Sequence, residues 1–220
     1  MLRRMHGHRD HAAGPATRGV TIPWAHSYDR VTALLMLGRE PKFRSMTVDL
    51  AAVQAGERVL EVGCGTGSLA LVAARRAGPA GKVYGIDPDP VMIATSREKA
   101  AKARLDVAFE VGLIEKLPFE AGEFDVVLSS LMLHHLPDDL QKLGLAEVRR
   151  VLKPGGRFLA VDIEPPAASL ARKLLSHLLG ERMMQGGLRD LEPVLAAAGF
   201  TRAESGRTSM RLLSYLRGWA

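Results

Sequence analysis

Four places in the chain carry residues whose types and spacing can do chemistry: Glu61 to Gly67, Asp87, Ser129-Ser130, and His134-His135. In the first, the apolar pair Val59 and Leu60 leads through Glu61 into Gly63-Cys64-Gly65-Thr66-Gly67 and an alanine-rich segment of helical period. That order predicts a buried strand, a tight turn and a helix start. Glycines let backbone amides approach a ligand closely, and a helix start offers unpaired N–H groups and a partial positive charge. Such a turn is a cofactor cradle. Asp87 closes the apolar stretch from Lys82 to Ile86, 24 residues beyond Gly63. An acid at a strand's C-terminal end can accept both hydroxyl hydrogens of a ribose. The competing role, a helix N-cap, is already supplied by Asp89-Pro90. The run Phe124 to Leu128 predicts a further buried strand, and the carboxyl ends of strands line the crevice of an open α/β sheet, which puts Ser129 and Ser130 beside it. His134 and His135 follow and are the imidazole candidates for a general base, with an ordinary pKa near ~6.5. The alternative is that the pair fastens a loop to a helix.

The glycine spacing decides between cofactors. A dinucleotide fingerprint needs Gly or Ala where this chain has Ser68, so a nicotinamide-dependent oxidoreductase is disfavoured. Glu61, Gly63, Gly65 and Gly67 instead resemble motif I, E/D-x-G-x-G-x-G, of the class I S-adenosylmethionine-dependent methyltransferases. The segment Gly112 to Phe119 is similar to that family's G-D-A-E-x-L-P-F, Ser129 to Leu136 looks like its S-x-x-x-L-H-H-L, and RVLKPGG occurs at Arg150 to Gly156. The resemblance spans about residues 57–164, and the group it points to is the ubiquinone/menaquinone-biosynthesis-like one (methyltransferase type 11).

That resemblance implies S-adenosylmethionine as cofactor and S-adenosylhomocysteine as product. It implies a binding set of Glu61, Gly63, Cys64, Gly65, Thr66, Gly67, Asp87, Pro88, Met92, Leu113, Ile114, Ser129 and Ser130. Glu61 would orient the turn and the methionine end, and Asp87 the ribose. Met92 would pack on the adenine, or else be an ordinary core methionine. Leu113 stands where relatives carry an acid that accepts from the adenine amino group, so only the backbone contact of Ile114 survives and weaker cofactor binding is expected. A protein that binds the cofactor without catalysis is the reading this departure keeps open.

These residues need a frame to hold them. The chain has 220 residues, enough for one α/β domain with a full core. Strands and helices alternate, with a last helix over 188–198 and a closing antiparallel pair at 200–207 and 209–216. The fold class expected is α/β, a Rossmann-like seven-stranded and mostly parallel sheet with helices on both faces and a C-terminal antiparallel hairpin. Residues 1–22 are expected to be a disordered leader and 23–220 one methyltransferase domain. Within it, 23–56 would form N-terminal lid helices (one from Tyr28 to Gly38, the next from Pro41 to about Gln54), 57–164 the cofactor-binding core, 165–186 a lid insertion, and 187–220 the C-terminal helix and hairpin. His6, His8 and His11 could bind a transition metal only adventitiously, so no functional metal is expected.

The single cysteine, Cys64, excludes a disulfide framework and a cysteine metal cluster, and points to a reducing cytoplasm. No run approaches the roughly 18 apolar residues of a membrane span, and no secretory signal is expected. The net charge is +6, yet the excess lies outside the central fold: residues 1–40 carry six Arg or Lys against three Asp or Glu, 165–186 three against one, and 201–220 four against one. Positive charge there admits an anionic substrate, a membrane surface or RNA. The 165–186 helix, with Leu170, Leu174, Leu175, Leu178 and Leu179 on one face, would roof the crevice or rest on a membrane. The acceptor expected is a small molecule or lipid-like compound. RNA or other nucleic acid is the runner-up, disfavoured by the lack of N-P-P-Y/F after the fourth strand and by a Cys64 poorly placed to attack cytosine. Asp162, near the crevice, would contact substrate or only solvate the sheet edge.

Overall fold

Four stretches of strong β pattern have apolar side chains on both sides, and only a sheet covered on both faces can bury them. The computed structural model describes residues 14–15, 17–19, 29, 32, 36–164, 187–210 and 212–220. In it β1 (Arg58–Val62), β2 (Lys82–Asp87), β3 (Val107–Val111), β4 (Phe124–Ser130) and β5 (Leu152–Ile163) run parallel, and β6 (Arg202–Arg207) and β7 (Leu213–Trp219) complete the sheet. The order is β3-β2-β1-β4-β5-β7-β6, with β7 antiparallel to both β5 and β6. This is the seven-stranded, mostly parallel architecture the pattern predicts. The strand order reverses between β1 and β4, and there the C-terminal ends open a crevice.

Helices cover both faces. On one lie α1 (Glu40–Leu50), α2 (Ser68–Ala77) and α3 (Pro90–Ala103), whose Phe43, Val48, Leu69, Ala73 and Ile93 share a core with Val59, Val126 and Leu159. On the other, α4 (Asp138–Val151) and the short α5 (Glu192–Ala197) bury Leu145, Val148 and Leu195 against Leu60, Val127 and Phe158. α1 carries no basic residue in its last turn, so its final carbonyls find cations on the sheet instead. Arg217 of β7 donates to Leu50 O, and Arg157 of β5 donates to Ala51 O and Ala52 O while its guanidinium also pairs with Glu57. These contacts tie the C-terminal end of α1 to the sheet.

Several element bounds differ from those predicted. α1 stops at Leu50 because Ala52 takes a left-handed φ of 50°. Its buried face includes Arg44 and Thr47, while Met46 and Leu50 only flank the core. β5 starts at Leu152, since the KPGG segment pairs onward across a register shift opposite Phe124. The last helix is interrupted: a 3₁₀ turn, Leu188–Leu191, precedes α5, where Pro193 removes a backbone donor. β7 begins at Leu213 because Thr208 closes a wider turn, its N–H donating to Leu213 O at 3.0 Å and its hydroxyl to Met210 O at the same distance. The leucine face of 165–186 and most of the helix from Tyr28 to Gly38 lie outside the described residues.

Candidate active site

The glycine turn is left-handed three times, at Gly63 (φ 67°), Gly65 (φ 51°) and Gly67 (φ 77°), a backbone course that side-chain-bearing residues rarely follow. Gly67 occupies the N-cap of α2 but has no side chain to cap it. Glu61 does so from β1, its Oε2 accepting from Ala70 N at 2.8 Å. Glu61 is 1% exposed. Burial pushes its carboxyl up to about 8, against the opposing charge of Arg44. Asp87 is tied to the same turn: Oδ2 accepts from Gly65 N and Oδ1 from Asp89 N, each at 2.9 Å. Burial raises Asp87 to about 6 in spite of those two donors.

A cavity opens over this turn, between Gly63, Gly65 and Asp87 on one side and Ser130 to Met132 with His135 on the other. Pro88, Met92, Leu113 and Ile114 also line it, as do Thr17 and Gly19. Its free volume is only about 90 Å³. Met132 narrows it, lying so close to Gly63 that an added Cβ there would sit 2.3 Å from Met132 Cγ. A ligand on the turn thus displaces a flexible thioether and no backbone.

The structure separates the expected site residues into those on the cavity and those that build its wall. Gly63, Gly65, Asp87, Pro88, Met92, Leu113, Ile114, Ser130 and His135 line it. Glu61 and Cys64 lie beneath the turn, and the Cys64 thiol is raised well above its ordinary value by burial, with Glu61 and Asp87 adding to it. Gly67 serves packing: a Cβ there would lie 2.6 Å from Phe109. Thr66 turns its hydroxyl to Asp29 Oδ1 at 2.6 Å, and Lys99 bridges Asp29, Thr66 and Ser68. Ser129 is buried with no hydrogen-bond partner for its hydroxyl among the described residues.

The two histidines part company. They lie in a 3₁₀ turn, Leu133–His135, with ring centroids 4.0 Å apart. His135 faces the glycine turn, and burial first, then the neighbouring His134, lowers it to about 4. His134 faces a second cavity of about 360 Å³, together with Asp162. Asp162 accepts from His134 Nδ1 at 2.6 Å.

Sequence pattern missed Arg44, which is 6% exposed and donates from Nη1 to Ser130 Oγ at 2.9 Å and from Nε to Glu40 Oε1 at 2.9 Å. An arginine amid Phe43, Thr47 and Val48 on the buried face was the signal that could have found it. Pattern also missed contacts made by residues of the expected leader: Gly14 lies against Pro88 O, and Arg18 pairs with Asp139 of α4.

Comparison with known proteins is decisive about kinship. Residues 59–156 match the family model described as a methyltransferase domain. An uncharacterized methyltransferase of Synechocystis is 33% identical over 184 residues, covering 81% of this chain and 83% of that protein. The chain belongs to the class I S-adenosylmethionine-dependent methyltransferases. Among this methyltransferase's other relatives are demethylmenaquinone methyltransferases of Thermus thermophilus, 39% identical over 142 residues, and of Listeria monocytogenes, 38% over 141 residues. The matched part is 64% of this chain in each, and 63% and 59% of those relatives, so the chain spans less than two thirds of their length. A methyltransferase of Aquifex aeolicus superposes with a TM-score of 0.66 at 20% identity over 80% of this chain and 88% of that one, a likeness of fold.

The cofactor of this family is S-adenosylmethionine, and the chemistry of the residues that line the cavity suits it. Asp87 stands at the end of β2 with only one backbone donor on each oxygen, leaving acceptor capacity for two hydroxyls. Gly65 N and Gly67 N are already bound, to Asp87 and to Cys64 O, so the left-handed glycines serve to keep side chains out of the cradle, and Met92 and Leu113 give the apolar wall an adenine needs. When bound, the cofactor supplies a methyl group already activated on sulfur. With Leu113 on that wall, Leu113→Asp is expected to tighten cofactor binding by up to about tenfold, one hydrogen bond of order 1 kcal/mol. Calorimetric titration reads this directly, and equal or weaker binding puts the adenine elsewhere.

Proposed function

We propose that this methyltransferase transfers the methyl group of S-adenosylmethionine to a small hydroxylated ring of the quinol type, in the cytoplasm and without nucleic acid as partner. The observation that carries it is Asp87, which joins the glycine turn through Gly65 N and lines the cavity at the same time. The named relatives supply the acceptor class, two of them acting on demethylmenaquinone by name. A sulfonium methyl needs no further activation, so the chain's own work is to hold the reactants in line and to exclude water. The turn and Asp87 fix one reactant, and the 3₁₀ turn with its two histidines borders the space for the other. No helix among the described residues is long and apolar enough to cross a membrane. An apolar tail on the acceptor would bring the chain to a bilayer surface only peripherally. The test is transfer of labelled methyl to reduced 1,4-naphthalenediols, with and without a prenyl tail, beside phospholipid vesicles and total RNA. Label in the diols supports the reading; label confined to RNA or phospholipid replaces it.

A further inference from the structure

Two turns hold a leucine where the backbone favours glycine or asparagine. Met36 O accepts from Arg39 N at 2.9 Å, and Met210 O accepts from Leu213 N at 3.3 Å, so each pair closes a four-residue turn. In the first turn Leu37 and Gly38 both have positive φ, 51° and 72°, and in the second Leu212 has φ 67°. Central turn positions of that kind take Gly, Asn or Asp, since a Cβ there crowds the backbone. Packing does not compensate: Leu37 is 82% exposed and Leu212 52%. An apolar side chain left in water on a left-handed backbone needs a reason outside the chain's own core.

Both turns stand at the crevice end of the sheet. Leu212 O accepts from Glu164 N at 2.8 Å, just beyond the C-terminal end of β5. α1 runs against the parallel strands, because Arg44 in its middle meets Ser130 at the end of β4, while Ala51 just after it meets Arg157 in the first half of β5. Leu37, just before α1, therefore lies at the same end as Leu212. Ser209 Oγ is 3.4 Å from Met46 Sδ of α1, and Met36 and Met210, which begin the two turns, pack on one core, so the turns share a corner. Arg39, Lys42 and Arg207 are exposed beside them, and Glu40 is paired with Arg44. Exposed leucines flanked by cations have the chemistry of a surface that meets anionic lipid.

We propose that this corner docks the methyltransferase on an anionic phospholipid bilayer, with Leu37 and Leu212 entering the acyl boundary and Arg39, Lys42 and Arg207 meeting the headgroups. The inference deepens the quinol-type reading above and rests on it for its purpose: an acceptor with an apolar tail resides in the bilayer, and this is the end of the sheet at which the cofactor crevice opens. A second copy docked symmetrically on the corner would set cation against cation. The leucines, in turn, favour lipid over RNA, whose phosphates offer them no apolar layer.

The experiment is co-sedimentation of the full chain with vesicles of phosphatidylcholine alone and of equal parts phosphatidylcholine and phosphatidylglycerol, without cofactor or acceptor. The parent should bind the anionic vesicles, and bind them less as salt rises from about 0.1 to about 1 M and the Debye length shrinks from ~10 to ~3 Å. Leu37→Asn combined with Leu212→Asn should lower the partition coefficient by at least about tenfold, the order expected when two leucines no longer enter the apolar layer. Arg39→Gln combined with Lys42→Gln should lower it on anionic vesicles by about thirtyfold, roughly fivefold per charge. Asparagine suits both turns, so the double-asparagine variant should melt no lower than the parent, which separates lost docking from lost fold. Turnover of a tailless naphthalenediol in solution should be unchanged in both variants, while turnover of the prenylated diol in anionic vesicles falls with binding. A parent that leaves anionic vesicles unbound at the lower salt, or a double-asparagine variant that partitions within about twofold of it, overturns the proposal. So does a parent that dimerises or binds total RNA through these residues without binding vesicles. Should the parent methylate no diol at all, the acceptor reading is what fails, and co-sedimentation still decides the docking surface.

Discussion

Replacing Asp87 by Ala is expected to weaken S-adenosylmethionine binding by about a thousandfold while leaving the fold intact. Two hydrogen bonds from ribose hydroxyls to a buried carboxylate are each charge-assisted, of order 1.5–3 kcal/mol, and about 4 kcal/mol together is three powers of ten. The carboxylate also holds Gly65 N at 2.9 Å, so the variant loosens the turn as well. Asp87→Asn should lose less, since the amide keeps one acceptor oxygen. The same group sets a pH dependence. Its folded pKa is near 6, so the charged form prevails above that pH and the affinity should fall as pH drops from 7 to 5. Calorimetry with the cofactor and with S-adenosylhomocysteine at pH 7.5 and 5.5 reads both effects. Affinity that is flat with pH and unchanged in Asp87→Ala would place the ribose away from β2.

Glu61→Gln is expected to stabilise the protein at neutral and alkaline pH. Folded Glu61 keeps its proton up to about pH 8, while its ordinary value is 4.5. Between those values the folded chain binds one proton more than the unfolded chain, so stability falls as pH rises, by up to about 1.4 kcal/mol per unit. The contribution is fully present below 4.5 and lost above 8. Gln retains an oxygen for Ala70 N and carries no charge to bury, so this decline disappears in the variant. The gap in unfolding free energy between Glu61→Gln and the parent should widen by on the order of 3 kcal/mol from pH 5 to 8.5, measured in urea. Parallel curves would mean that Arg44 keeps Glu61 ionised throughout.

The legible part of this molecule was the part that local chemistry dictates. Three glycines at alternate positions announce a tight turn, and an acid closing an apolar run announces a strand end at a crevice, so β1, β2 and the position of Asp87 at the end of β2 followed from residue type, while the Gly65–Asp87 contact did not. Gly67 and Thr66 share that stretch but serve Phe109 and the Asp29–Lys99 network, because their surroundings come from β3, from α3 and from the N-terminal region. No local pattern reports such partners. Arg44 and Asp162 were under-read for the same reason: their partners, Ser130 and His134, lie 86 and 28 residues away. Pro193 was visible, and reading it would have split the last helix. The length of the Thr208 turn was not legible, since it depends on one hydroxyl closing on Met210 and Leu213.

Cys64 is the one cysteine in 220 residues, and it sits under the cofactor turn at 6% exposure with its thiolate opposed by two neighbouring carboxyl groups. It is thereby a built-in timer for the turn. An alkylating reagent can reach the sulfur only when Gly63 to Gly67 opens, so the labelling half-life counts those openings. Any ligand that holds the turn shut multiplies the half-life by one plus the ratio of its free concentration to its Kd, which makes one native thiol a probe of cofactor affinity that needs no methyl acceptor at all.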